Sequence, residues 1–208
     1  MPETQQILLF LITSAILTIT PGPDILYVVT RGIAQGRLAA LASATGFSLG
    51  CIAHTAFAVL GLSAVVMSSA FAFTIIKFLG ASYLIYIGWK TFSAKATSLN
   101  QGDMNILSKK SIFLQSVTAN ILNPKVALFF IAFLPQFVSK EIGSVSIQMT
   151  VFGLLFIINT FVIFSLCGLL AGFIGDYLRN SKRAESFLNK FAGIILICLG
   201  VSLAFYNR

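Results

Sequence analysis

Two prolines lie deep inside apolar stretches, and each has a charged residue beside it: Thr20-Pro21-Gly22-Pro23-Asp24 near the start and Asn123-Pro124-Lys125 in the second half. Inside lipid no water can satisfy the carbonyls that a proline frees, so a break there is tolerated only where protein or a wet cavity surrounds it. Asn and Thr are good helix N-caps and proline suits the first helical position. Asn123-Pro124 therefore reads as a helix starting afresh, with Thr20-Pro21 or the Gly22-Pro23 step doing the same. Half-helix N-termini attract anions, and Lys125 adds a full positive charge, which favours a carboxylate. Asp24 supplies the opposite sign. A site with both signs matches a zwitterion such as an α-amino acid, and broken helices at equivalent places in two halves are the pattern of a midplane transporter site. The plainer alternative is a pair of kinks, with Asp24 and Lys125 neutralising each other.

The elements that carry these residues follow from composition. With 57% hydrophobic and 10% charged residues in 208, and a mean hydropathy of +0.94, the chain is a polytopic membrane protein. Apolar runs at 7–29, 38–67, 71–89, 113–138, 142–175 and 187–206 each approach or exceed the roughly 20 residues that cross a bilayer. The runs are continuous rather than alternating, which predicts six helices and excludes a β-barrel. At about 1.5 Å per residue, Pro21 and Pro124 fall roughly 20 Å inside their runs, well within the membrane. Superposing Pro21 on Pro124 sets the first three helices over the last three. Phe78-Leu79-Gly80 with Gly88 then parallels Phe191-Ala192-Gly193 with Gly200. Three helices per repeat force opposite insertion, the inverted-repeat plan. A single transporter domain over 1–208 results, with repeat 1 at about 1–92, a polar linker at about 93–110 and repeat 2 at about 111–208.

The net charge of +8 is a matter of topology rather than of nucleic acid. Ten of the fourteen Lys and Arg flank the odd connections: Arg31, Arg37, Lys90, Lys95, Lys109, Lys110, Arg179, Lys182, Arg183 and Lys190. Only Lys77, Lys140 and Arg208 fall on the other side. The positive-inside rule places the odd connections in the cytoplasm and both termini outside, the basic loops touching anionic lipid. An N-terminus carrying Glu3 and no Lys or Arg before the first run is not a secretory signal.

Other polar residues are candidates for the same path. His54, the single histidine, could carry protons or simply be satisfied by a carbonyl, and Asn120 and Asn159 could line the path or join helices. Gly46/Gly50, with Gly32/Gly36 and Gly168/Gly172, have the spacing of close helix packing, and Gly46 lies near the site. Such pairs also permit a homo-oligomer. Cys51, Cys167 and Cys198 stand singly in separate helices. There is no metal-ligand cluster, no nucleophile triad and no phosphate loop, so neither an enzyme nor a cofactor is expected.

Thr20-Pro21-Gly22-Pro23-Asp24 with Asn120, the run from Asn123-Pro124-Lys125 through Leu134-Pro135-Gln136-Phe137, and the segment Phe78 to Trp89 together resemble the LysE/RhtB family of bacterial amino-acid exporters. The resemblance covers essentially the whole chain. It implies efflux of amino acids or relatives such as homoserine and its lactone across the bacterial plasma (inner) membrane, driven by proton exchange. Asp24 is the single acidic residue deep in an expected helix, which favours neutral substrates. A metal-cation exporter of the same superfamily would need His54, Asp24 and a cysteine to converge. A thiol-electron carrier would need cysteines where Thr20 and Asn123 stand. The topology is directly testable: reporter fusions in the 93–108 loop should be active only for a cytoplasmic reporter, and activity of an external reporter there would reverse the assignment.

Overall fold

The computed structural model describes residues 2, 4–64, 70–94, 106–171 and 182–205. Within them the chain is helical, with no strand. The first apolar run is two helices, α1 (Thr4–Ile19) and α2 (Pro23–Gln35), bent by 62° at the Thr20-Pro21-Gly22 break. α3 (Arg37–Phe57) continues into a π turn at Ala58–Leu62, and α4 spans Ala70–Phe92. The fourth run is again a bent pair, α5 (Lys109–Ile121) and α6 (Pro124–Leu128). α6 runs on through a π turn (Phe129–Phe133) and a 3₁₀ turn (Leu134–Phe137), and the bend between the two is 45°. α7 (Val145–Leu169) and α8 (Lys182–Phe205) complete the order. Arg37–Leu62 and Val145–Leu169 are each long and apolar enough to cross a bilayer alone, and each bent pair is so when counted as one span.

Capping chemistry sets several boundaries and moves some of those expected. Ser108 Oγ accepts from Ser111 N at 3.1 Å, so Lys109 and Lys110 are the first turn of α5 rather than linker. Ser144 caps α7 in the same way, and Gly143 stands at φ +134°, a conformation that side chains resist; residues 142–143 are therefore loop, not helix. The first run extends to Gln35 and the last begins at Lys182, both beyond the apolar stretch itself. Residues 65–67, 95–105, 172–181 and 206–208, which carry parts of the expected runs and linker, lie outside the described residues.

α3 packs against α5 and α7, α1 against α7, and α4 against α8. The α3–α5, α3–α7 and α4–α8 contacts are made at small residues. A Cβ on Gly46 would stand 2.5 Å from Phe113 O, and one on Gly193 2.6 Å from Gly88 O, so α3–α5 and α4–α8 meet nearly backbone to backbone. Gln35 ties the end of α2 to the start of the second half, its Nε2 donating to Leu107 O (2.9 Å) and its Oε1 accepting from Leu107 N (3.3 Å). The first and third connections thus share one end of the bundle. The core at the other end is aromatic: Phe10 lies 4.8 to 6.5 Å from the rings of Phe129, Phe137, Phe152 and Phe156. Gly193→Val should drive a branched side chain into the Gly88 backbone and cost about 1–3 kcal/mol, the usual penalty of overpacking. A lowered melting temperature in detergent, against an unchanged Val201→Ala control, measures it.

Candidate functional site

Both breaks meet at the centre of the bundle, and each leaves a carbonyl without its helical partner. Leu17 O would accept from residue 21, but Pro21 has no N–H; Asn120 O loses the residue-124 N–H to Pro124 in the same way and accepts instead from Asn123 N at 2.9 Å. A basic side chain from elsewhere reaches each one. Lys125 Nζ donates to Leu17 O (3.1 Å) and to Thr20 O (3.3 Å), so the cation of the second break closes the end of α1. His54 Nε2 lies 3.0 Å from Asn120 O, and since a carbonyl only accepts, the Nε2 nitrogen carries the proton.

Asn123 locks the breaks together. Its Oδ1 accepts from Lys125 N at 2.9 Å as the N-cap of α6, while its Nδ2 donates to Asp24 Oδ2 at 2.6 Å. The short distance fits a charge-assisted bond to a carboxylate. Asp24 and Lys125 are both buried, and the hydrogen bonds that Lys125 Nζ makes go to carbonyls rather than to Asp24. At the first break α2 restarts at Pro23 with Gly22 as its cap, a residue with no side chain to take up the free N–H groups. A Cβ there would stand 3.3 Å from Lys125 Nζ, so the glycine lets the ammonium lie against an uncapped helix N-terminus. Of the two N-termini expected to draw an anion, the first is the open one, because Asn123 already occupies the N–H of Lys125.

A cavity of ≈ 10 Å³, about the size of one water, lies among these groups, lined by Leu17, Thr18, Asp24, Asn120, Lys125, Val126, Phe156, Thr160 and Phe164. Rings flank it on both sides. Phe156 belongs to the Phe10 cluster; Phe164 packs on Phe47 (5.7 Å), which packs on Tyr27 (5.9 Å). Tyr27 Oη donates to Gln115 Oε1 at 2.8 Å, and the Arg31 guanidinium lies 5.1 Å from the Tyr27 ring centroid.

The structure brings Thr20, Pro21, Gly22, Pro23, Asp24, Asn120, Asn123, Pro124 and Lys125 together. His54 joins them through Asn120 O, and Asn120 Oδ1 accepts from Cys51 Sγ at 3.5 Å. Gly46 and Asn159 stand apart. Gly46 meets α5 at Phe113 and Ser116, and Asn159 Nδ2 donates to Leu11 O (3.2 Å) and Ser14 Oγ (2.7 Å), fastening α1 to α7. Sequence reading missed Thr18, Phe156, Thr160 and Phe164. The spacing of residues 156, 160 and 164 on one helical face is the signal that could have found the last three. Among the described residues no three His, Cys, Asp or Glu side chains gather as a metal site.

A helical bundle whose broken helices bury opposite charges around a small cavity has the features of a membrane transporter rather than of an enzyme. The chain belongs to the LysE type translocator family, whose model matches residues 15–207. It is 31% identical to the uncharacterized membrane protein YrhP of Bacillus subtilis, over 94% of this chain and 96% of that protein. It is 25% identical to a leucine efflux protein of Klebsiella pneumoniae, over 95% of this chain and 93% of that one. With a homoserine/homoserine lactone efflux protein of Salmonella typhimurium it shares 28% identity, over 94% of each. No solved structure gives a significant match.

Asn123→Ala should remove both the cap and the Asp24 bond. The cap alone is worth about 1 kcal/mol, and leaving a buried carboxylate short of a donor adds about 1–3 kcal/mol. Thermal unfolding in detergent should show the loss, and Asn123→Asp, which keeps the cap but sets two carboxylates together, should not recover it.

Proposed function

We propose that the protein exports a neutral amino acid or a close derivative, such as homoserine or its lactone, from the cytoplasm across the bacterial plasma membrane by proton antiport. The observation that carries this reading is the interlock of the two breaks, which holds Asp24 and Lys125 buried at one small cavity. The substrate carboxylate sits at the uncapped start of α2 beside Lys125, and Asp24 takes the ammonium or, between cycles, the proton. Relatives named for leucine and for homoserine efflux support substrates of this size and charge. A cavity the size of one water supports an occluded resting form, since either substrate needs the aromatic layers to part.

Six crossings as two inverted three-helix repeats fit the packing. Exchanging the halves turns the α1–α7 contact into the α5–α3 contact and leaves the α3–α7 and α4–α8 contacts in place. A metal-cation substrate is disfavoured by the absence of a three-ligand group among the described residues. The glycine contacts described above are used within the chain, and a homo-oligomer is not needed to complete the site.

The charges separate this reading from a structural ion pair. If Asp24 and Lys125 only neutralised each other, replacing both would restore what single changes lost, because removing one partner strands a buried charge and removing both does not. Asp24→Asn with Lys125→Gln should reach the membrane and stay inactive in counterflow of labelled amino acids in proteoliposomes; recovery to near the parent rate would remove both residues from the site. Pro124→Ala adds an N–H that can compete for Asn120 O with Asn123 N and His54 and let the helix run through, so transport should fall at unchanged membrane abundance. Normal efflux in that variant would mean the break is only a kink.

A further inference from the structure

Thr160 differs from most of the threonines described in the bundle. Eight of them, at positions 13, 18, 20, 30, 45, 55, 118 and 150, donate their hydroxyl to the carbonyl four residues back, the ordinary resting place of a threonine in an apolar helix. Thr160 does not. Its Oγ1 is buried, has no hydrogen-bond partner, and belongs to a residue only 2% exposed that lines the central cavity. A buried hydroxyl without a partner is unfavourable unless something else satisfies it.

Its neighbours indicate what that is. Along one face of α7 the cavity wall reads Phe156, Thr160, Phe164, two rings with one hydroxyl between them. Every charged or amide group at the cavity comes from the other elements: Asp24 from α2, Asn120 from α5 and Lys125 from α6. The α-ammonium and α-carboxylate of a substrate are met there, which directs its side chain at the α7 wall. We infer that Thr160 is a specificity-determining residue that hydrogen-bonds a substrate side chain, so that the carrier prefers a small hydroxylated amino acid over an aliphatic one. This rests on the export reading above. A site that hydrogen-bonds a substrate hydroxyl discriminates strongly against the analogue lacking it, because the site's own group is then left unpaired; an apolar wall discriminates weakly.

The test is counterflow of labelled homoserine and labelled leucine in proteoliposomes made with the full chain. The parent should favour homoserine. Thr160→Val keeps the shape and removes the hydroxyl, so the homoserine-to-leucine ratio should fall about ten-fold or more, mainly through a raised KM for homoserine with leucine carried as well or better. Thr160→Ser should keep the parent's preference. If Thr160→Val fails to reach the membrane, Thr160→Ala is read the same way. An unchanged ratio in a normally inserted Thr160→Val, or a parent that prefers leucine, overturns the inference while leaving export in place. A parent that carries neither amino acid in tight vesicles, nor any other of a labelled panel, overturns the export reading and this inference with it.

Discussion

A carbonyl freed by proline inside an apolar bundle needs another donor, and much of the arrangement of this bundle follows from how two such carbonyls are met. Leu17 O takes its donor from afar, Lys125 of the other broken helix, while Asn120 O accepts from Asn123 N nearby and from His54 of α3. Each donor fixes a helix as well as a charge. Lys125 draws the start of α6 against the end of α1, His54 holds α3 to the end of α5, and Asn123 then has Asp24 within reach. What reads locally as two interruptions is in three dimensions one polar knot, and the cavity is the space left within it.

The knot is placed between unequal layers of rings. Towards the N-terminal end of α1, Phe10, Phe129, Phe130, Phe133, Phe137, Phe152 and Phe156 form a continuous stack. Towards the connections that share Gln35 and Leu107 the cover is Tyr27, Phe47 and Phe164, held by one hydroxyl-to-amide bond at Gln115. The π turn at Phe129–Phe133 lies within the thicker layer and the one at Ala58–Leu62 packs beside it, and such turns are rare and concentrate at functional sites. The thicker layer is built of many mutual ring contacts, while the thinner one has two, Tyr27 on Phe47 and Phe47 on Phe164, with Val28 and Ala44 packed beside them.

Much of this could be read from residue types alone. Asn123-Pro124 announces a capped helix start, and the cap is there; the charges on either side of the prolines are buried and neighbouring, as their depth in apolar runs requires. The first break is ambiguous between Thr20-Pro21 and Gly22-Pro23 because both steps carry proline; the helix restarts at Pro23, and Gly22 leaves room there for Lys125. Lys125 itself was legible as a charge at the site but not as a donor to carbonyls, since its partners lie more than a hundred residues away. Asn159 attracts notice as an amide in an apolar run, yet helical geometry turns it towards α1 and presents the less conspicuous Thr160 to the cavity.

The distance along the chain between the knot's partners has a consequence for how the protein is made. Asn123 is 99 residues beyond Asp24, and Lys125 is 108 beyond Leu17. The first half therefore leaves the ribosome and enters the bilayer with its broken helix unsealed, a bare carbonyl and a lone carboxylate with none of their final donors yet synthesised. Until residue 125 arrives, that segment must be sheltered by the insertion machinery or rest shallowly near the headgroups. Completion of the fold is thus tied to the order of synthesis, the later half supplying the groups that let the earlier half settle at its full depth.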